Sequence, residues 1–165
     1  MSTVHSTQPD LRILLAEEDD AIRAFLADNL TADGYHVYVA EDRDRALARL
    51  RVATVDLILA DVNGKTLSLL DWVRSADSSL RAISSDTPVI VLTSQIDDVH
   101  HVRLLERGGD DVVLKPFSYP ELRARISAVL RRTAPRQPAA IRRAGPVRID
   151  PVSYTHLTLP TILRV

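Results

Sequence analysis

Short apolar runs alternate along the chain with segments in which apolar residues recur at helical spacing. Apolar runs bounded by turn residues indicate strands buried on both faces, and the periodic segments indicate amphipathic helices. The pattern predicts strands at Leu11–Ala16, His36–Ala40, Asp56–Ala60, Pro88–Leu92 and Val112–Leu114. It predicts helices at Ala21–Leu30, Arg43–Leu50, Leu67–Arg74, Asp97–Arg107 and Tyr119–Arg131. The pattern therefore predicts five consecutive β-α units.

This alternation determines the expected fold class. Strands that are joined through helices require right-handed crossovers and a parallel sheet covered on both faces. We therefore predict a doubly wound α/β fold. In such sheets the functional crevice lies at the carboxyl ends of the strands, so residues that follow the strands are the first candidates for chemistry.

Composition narrows the class of protein. With 165 residues, 45% of them hydrophobic and 26% charged, the chain can form one well-packed domain with a short remainder. A net charge of -1 gives no overall attraction to nucleic acid or membrane, and the absence of cysteine excludes disulfides, thiolate zinc sites and cysteine nucleophiles. No apolar run reaches the roughly 20 residues that span a bilayer, and no signal peptide is recognisable, so we expect a cytoplasmic protein.

Polar residues follow four of the predicted strands. They are Glu17-Glu18-Asp19-Asp20, Asp61, Thr93-Ser94 and Lys115-Pro116. Clustered carboxylates repel one another unless a cation neutralises them, and Mg²⁺ suits an open site built from carboxylates, water and phosphate oxygens. Asp61 could then attack a phosphoryl donor while the metal and the Lys115 ammonium neutralise the developing charge.

Each feature alone also has a purely structural explanation. An acidic run often caps a helix, an aspartate after a strand often forms a turn, and Thr-Ser or Lys-Pro-Phe can belong to an ordinary loop. The coincidence of four such features at the strand ends of one crevice favours a functional site.

The blocks Ile13–Asp20, Asp56–Asp61, Pro88–Ser94 and Gly108–Phe117 resemble the hallmark blocks of two-component response-regulator receivers. The resemblance covers residues 11–132 and implies a flavodoxin-like (βα)5 sheet with strand order 2-1-3-4-5. It implies that Asp61 is the phosphoacceptor, Thr93 the switching hydroxyl and Lys115 the cation that pairs with the phosphate. The implied Mg²⁺ ligands are Glu18, Asp19, Asp61 and the backbone carbonyl of Asn63.

Three positions depart from the family pattern. Glu18 stands where aspartate is usual, so the acidic arm is one methylene longer. The segment after Asp61 has Lys65 and Ser68-Leu69 instead of the usual proline and Asp-Gly. Val112 occupies the position of the aromatic switch residue, so no ring can report phosphorylation by rotating inward there.

The stretch from Asp110 to Arg125 resembles the OmpR/PhoB-type winged-helix transcriptional branch. This implies a sensor histidine kinase as partner, and a homodimer through helix 4, strand 5 and helix 5 that forms on phosphorylation and controls transcription in the full-length parent. Candidate interface residues are Arg103, Glu106, Asp110, Asp111, Glu121 and Arg125. We expect a self-phosphorylating receiver, with autophosphatase activity at most, rather than a turnover enzyme.

Two other functions compete with this interpretation. One is a pseudo-receiver that dimerises or binds partners without phosphorylation. The other is a phosphatase of similar topology, which is disfavoured because Asn63 stands where an acid-base aspartate would be needed.

The ends of the chain carry separate predictions. Residues 1–10 are expected to be a disordered leader, residues 133–144 a linker, and residues 145–152 the opening strand of a truncated winged-helix domain, so that DNA binding would need the missing C-terminal part. Residues 153–165 include a segment similar to the translation of a transposase-based sequencing adapter, and we interpret this tail as non-native.

Overall fold

The computed structural model describes residues 10–62, 67–75 and 86–133, and it contains the five strands and five helices predicted between Leu11 and Arg131. The strands are β1 (Arg12–Ala16), β2 (His36–Ala40), β3 (Leu57–Asp61), β4 (Val89–Thr93) and β5 (Asp111–Leu114). The helices are α1 (Asp20–Ala32), α2 (Arg43–Val52), α3 (Leu67–Arg74), α4 (Asp98–Glu106) and α5 (Tyr119–Thr133).

The five strands form one parallel sheet in the order β2-β1-β3-β4-β5. The predicted doubly wound fold and its strand order are therefore confirmed. The register pairs Ala16 with Ala60, Asp61 with Leu92, and Thr93 with Leu114. Because the strands run in the same direction, their carboxyl ends lie along one edge of the sheet.

Most boundaries differ from the predicted ones by one or two residues, and three of these differences involve residues singled out in the sequence. Asp61 and Thr93 were expected just beyond their strands, but they are the last residues of β3 and β4. The ladder continues past both, since the Val62 N–H donates to the Leu92 carbonyl at 2.8 Å and the Lys115 N–H to the Thr93 carbonyl at 2.7 Å. Thr133, predicted to begin the linker, ends α5, where its hydroxyl donates to the Val129 carbonyl at 3.1 Å.

Side chains alternate between the two faces of the sheet, as expected for a strand period of two residues. On one face, Ile13 and Leu15 of β1 pack against α1 and α5 through residues such as Leu26 and Ile126. On the other face, Leu14 and Ile58 belong to a second buried cluster, to which α2, α3 and α4 contribute. Its helical members are Ala46, Leu47, Leu50, Leu69, Leu70, Val73 and Leu104. The two clusters share no residue.

Aspartates fix the starts of three helices. Asp19, Asp42 and Asp97 lie immediately before α1, α2 and α4, and each carboxylate accepts a backbone N–H of the first turn at 2.8–3.0 Å. A side-chain acceptor at this position satisfies an N–H that would otherwise lack an intrahelical partner. These caps place the loop after each preceding strand at the carboxyl edge of the sheet.

Several predictions concern residues outside the described ranges. They are those on Asn63 and Lys65, on the leader up to residue 9, on the linker beyond Thr133, on the winged-helix strand and on the C-terminal tail. None of the helices in the described part of the chain is both long and apolar enough to cross a membrane.

Candidate functional site

Asp61 and Lys115 meet at the carboxyl edge of the sheet. Asp61 ends β3 and is only 1% exposed, although it carries a carboxylate. Lys115 directly follows β5, and its ammonium donates to Asp61 Oδ1 at 3.0 Å. An aspartate and a lysine predicted from different strands are thus brought into direct contact in a buried position.

Glu17 is a third member of this group, and the sequence interpretation missed it. The residue is buried, and its Oε2 accepts from the Lys115 ammonium at 2.8 Å. Its Oε1 accepts the backbone N–H of Asp19 at 3.0 Å. The Glu17 N–H donates to the Ala40 carbonyl at 3.0 Å, so this residue continues the sheet ladder beyond β1. That ladder position is the signal that separates Glu17 from the acidic residues that follow it.

Glu18 and Asp19, the expected acidic pair, do not share the buried position of Glu17. Both residues are exposed. The Asp19 carboxylate accepts the Ile22 N–H at 2.9 Å and so caps α1, which is the structural alternative for an acidic run before a helix. The geometry therefore favours Glu17 over Asp19 as the acid that accompanies Asp61.

Burial and charge shift the protonation equilibria of this group. Burial raises the pKa of Glu17, and the nearby negative charge of Asp61 raises it further, while the hydrogen bond from Lys115 opposes the shift. For Lys115, burial acts to lower the pKa, but the hydrogen bonds to Glu17 and Asp61 bring it above the ordinary value of 10.5. Lys115 therefore stays cationic at neutral pH and is shared by two carboxylates.

Arg23 holds the backbone of the acidic loop. Its Nη1 donates to the carbonyl of Glu17 at 2.8 Å and to that of Glu18 at 3.3 Å, and its other nitrogen pairs with Asp20. Arg23 comes from the first turns of α1, so the helix and the end of β1 are tied together. This contact fixes the backbone from which Glu17 reaches Lys115.

Thr93 ends β4 with a buried side chain. Its Oγ1 accepts the N–H of Gln95 at 3.2 Å, which links it to the loop before α4. Val112, at the position expected for an aromatic switch residue, is buried in the cluster under α2, α3 and α4.

Among the described residues, the carboxylates of Asp61 and Glu17 converge on the Lys115 ammonium, and carboxylate oxygens are ligands that suit a hard cation. In the described part of the chain no three acidic or histidine side chains are grouped closely enough to hold a metal by themselves. Mg²⁺ commonly takes one or two carboxylates and completes its shell with water and phosphate oxygens. Asp61 and Glu17 provide the two carboxylates of such an open site.

Most of the charged residues predicted at a dimer interface make contacts within the chain. Arg125 Nη1 lies 3.1 Å from both carboxylate oxygens of Asp111, and Arg125 Nη2 lies 3.4 Å from Glu121. Asp110 accepts from Arg74 at 2.8 Å and from the Val89 N–H at 2.7 Å. The other two candidates, Arg103 and Glu106, lie exposed on α4.

The elements α4 and β5, which carry several of these charged residues, also carry exposed apolar side chains that were not predicted. Val99, Val102 and Leu105 lie on α4 at successive spacings of three residues, and Leu114 ends β5. Helical spacing alone could not distinguish them from core residues, because the neighbouring Leu104 is buried while Leu105 is exposed.

The response regulator receiver domain model matches residues 13–127 of the chain. The chain belongs to this family. The receiver is 35% identical over 155 residues to the phosphate regulon transcriptional regulatory protein PhoB of Klebsiella pneumoniae, covering 89% of this chain and 63% of that protein. It is 35% identical over 145 residues to the response regulator MprA of Mycobacterium bovis, covering 87% and 61%. The receiver therefore spans less than two thirds of the length of these relatives.

A solved structure agrees with the fold of this receiver. The receiver domain of the Francisella response regulator 1452 superposes with a TM-score of 0.66 at 28% identity, covering 74% of this chain and 98% of that one. The residues that carry the described site, from Glu17 to Lys115, all lie within the segment that the family model matches.

Proposed function

We propose that this receiver accepts a phosphoryl group on Asp61 from a sensor histidine kinase, and that its full-length parent uses the modification to control transcription. The observation that supports this most directly is the hydrogen bond between Asp61 and Lys115 at the buried carboxyl edge of the sheet. A carboxylate buried beside the ammonium of Lys115 is placed to receive a group that brings further negative oxygens.

In the proposed step, a carboxylate oxygen of Asp61 attacks the phosphorus of the donor. A P–O bond to Asp61 forms, the bond from phosphorus to the donor breaks, and the donor leaves with the electron pair. Lys115 lies within hydrogen-bonding distance of the attacking carboxylate and can neutralise charge on the phosphoryl oxygens without moving far. The product carries one phosphoryl group per chain, and we propose no turnover beyond its hydrolysis.

Mg²⁺ is the proposed cofactor of this step. Asp61 and Glu17 would hold it, and the predicted contributions of Glu18, Asp19 and the Asn63 carbonyl remain expectations. When bound, the ion supplies positive charge that stabilises the phosphoryl oxygens in the transition state. Glu17 would exchange part of its contact with Lys115 for the metal, which leaves the ammonium to the phosphoryl group.

Thr93 is the proposed link from the site to α4. Phosphorylation adds about -1.5 to -2 charges and three acceptor oxygens, which attract nearby hydroxyl and ammonium donors. A rotation of Thr93 toward the phosphoryl group would remove its hydrogen bond with the Gln95 N–H. The loop before α4 would then be released from the end of β4, and α4 could shift.

We further propose that the shifted surface of α4, β5 and α5 pairs with a second copy of the chain. The exposed Val99, Val102 and Leu114 give this surface apolar area that pairing can bury. Because Asp111 and Arg125 are already paired within one chain, they would contribute to pairing only by exchanging partners.

Intact-mass measurement after incubation with acetyl phosphate and Mg²⁺ tests the acceptor. We expect one phosphoryl addition on the parent chain, none on Asp61→Asn, and an unchanged addition on Asp44→Asn, which alters an exposed carboxylate of α2. Failure of the parent chain to become labelled would contradict the proposal and support the pseudo-receiver instead. Labelling of Asp61→Asn would show that another residue is the acceptor.

Sedimentation velocity with and without the phosphodonor tests the pairing. We expect the donor to increase the dimer fraction of the parent chain, and Val102→Asp to abolish that increase because it puts a charge in the proposed apolar contact. Val52→Asp changes an exposed valine on α2 and is the matched control, for which the increase should persist. An equal loss in both variants would contradict the assignment of the surface.

A further inference from the structure

An apolar cavity of about 510 Å³ opens beside the carboxylate and lysine group. It is lined by Ile22, Phe25, Ser94, Lys115, Pro116 and Phe117. Ligand sites for small molecules commonly have volumes of roughly 300–1,000 Å³ with mostly apolar walls and a few polar groups. The cavity is therefore large enough for an organic group well beyond the size of an acetyl moiety.

The aromatic wall of the cavity is held in place although it is open to solvent. Phe25 is 52% exposed, and its ring and that of Tyr119 lie in a T-shaped arrangement with the centroids 6.2 Å apart and the planes at 88°. The Tyr119 hydroxyl donates to Asp33 at 2.7 Å, which ties that ring to the end of α1. Phe117 packs against the buried cluster between the sheet and α1 and α5. Positioned rings of this kind can bind an apolar group with little loss of conformational freedom.

Lys115 belongs both to this cavity and to the group around Asp61. Its ammonium has three N–H donors, and among the described residues two of them go to Glu17 and Asp61. The third N–H can donate to an oxygen of a ligand that extends into the cavity. A molecule with an anionic phosphoryl end and an apolar end would thus have its phosphorus near Asp61 and its other end between Phe25 and Phe117.

We propose that this cavity holds the leaving group of a small-molecule phosphodonor and that it favours acyl phosphates with an aromatic acyl group over acetyl phosphate. The proposal rests on the proposed function of Asp61 as acceptor. An Asp61 oxygen forms a bond to phosphorus, the bond between phosphorus and the acyl oxygen breaks, and the aromatic carboxylate leaves with the electron pair. No further oxidant, reductant or proton donor is needed.

Rates of intact-mass labelling with benzoyl phosphate and with acetyl phosphate, both with Mg²⁺, test this preference on the full chain. An effect of a substitution that slows both donors equally cancels in the ratio of the two rates. Comparing this ratio between variants also cancels the difference in intrinsic reactivity of the two donors. We expect the ratio to fall about tenfold in Phe25→Ser, because the ring of the donor loses an apolar wall. Phe25→Leu should retain most of the ratio, and Val52→Ser, which changes an exposed apolar residue of a different helix, should leave both rates unchanged.

A measurement on the unaltered chain covers the case in which Phe25→Ser fails to fold. Benzylphosphonate, which cannot transfer its phosphoryl group, should inhibit labelling by acetyl phosphate at concentrations about tenfold lower than methylphosphonate. Equal inhibition by the two phosphonates, or a donor ratio that is the same in Phe25→Ser and the parent chain, would overturn the cavity assignment while leaving Asp61 as the acceptor. No labelling by either donor would instead overturn the proposed function itself.

Discussion

Replacement of Lys115 by methionine is the sharpest test of the buried ion group. Methionine keeps the approximate length of the side chain but removes the ammonium that Glu17 and Asp61 share at 2.8 Å and 3.0 Å. Both carboxylates are then left buried and close together without a cation. Hydrogen bonds to a charged group contribute about 1.5–3 kcal/mol each, and breaking a buried ion pair from one side costs about 3–5 kcal/mol.

The side chains of Glu17, Asp61 and Lys115 are 0%, 1% and 12% exposed, so solvent screens the lost interactions only slightly. Lys115 also lines the cavity beside Phe25, so water there can partly replace its ammonium. We therefore expect Lys115→Met to lower the free energy of unfolding by about 3 kcal/mol at neutral pH, the lower end of the range for such pairs.

The pH dependence of this loss follows from Glu17. Its pKa is already raised by burial, and loss of the ammonium removes the main influence that opposes the shift. A carboxyl whose folded-state pKa is raised contributes stability that is present below its unfolded pKa and is lost as pH rises through the folded pKa. The loss caused by Lys115→Met should therefore be smaller at about pH 5 than at neutral pH, because a proton on Glu17 then takes over part of the role of the ammonium.

Urea denaturation followed by circular dichroism at both pH values measures these free energies. Glu17→Gln added to Lys115→Met should recover most of the loss, because it removes one of the two unpaired charges, whereas Arg131→Met on the exposed end of α5 should change little. A loss below about 1 kcal/mol that is independent of pH, or no recovery in the double variant, would refute the buried ion group as described.

Three further outcomes follow from the same structure. Asp61→Asn removes a negative charge close to Glu17 while leaving the contact between Glu17 and Lys115. Urea denaturation should therefore show that the free energy of unfolding rises by about 1 kcal/mol at neutral pH, and a decrease would contradict this electrostatic account. In the unaltered chain, the raised pKa of Glu17 should make its contribution to stability decline as pH rises through that pKa, which a pH series of unfolding curves would detect. Gly108 and Gly34 both have positive φ, at 100° and 94°, but a Cβ on Gly108 would lie 2.7 Å from the Arg74 side chain whereas one on Gly34 would meet nothing within 4 Å. Gly108→Ala should therefore lower the thermal unfolding midpoint more than Gly34→Ala, and equal shifts would indicate that only the backbone conformation matters.

The apolar pattern was sufficient to predict the ten elements because β1, β3 and β4 are almost wholly buried apolar runs and glycines follow the ends of α1 and α4. Asp61, Thr93 and Lys115 could be identified because each is the first polar residue after an apolar run. The run from Glu17 to Asp20 offered four acids in succession, and the apolar pattern does not determine which of them continues the strand ladder. That choice depends on pairing with β2, which only the folded sheet specifies.

Side-chain contacts between different helices and strands could not be predicted from the sequence either. Asp111 and Arg125 are 14 residues apart on β5 and α5, and their contact requires the packing of that helix against that strand. Without this contact both residues looked available to a second subunit. The exposed apolar face of α4 could not be predicted either, because apolar residues at helical spacing usually indicate a buried face.

The division of the core into two clusters that share no residue has a consequence for engineering. The five strands form a common wall, and each helix packs against only one side of it. Substitutions beneath α1 and α5 should therefore combine additively with substitutions beneath α2, α3 and α4. A designer could repack the side that carries α4 to alter signalling output while keeping the side that carries α1 and its aromatic cavity unaltered for donor selection.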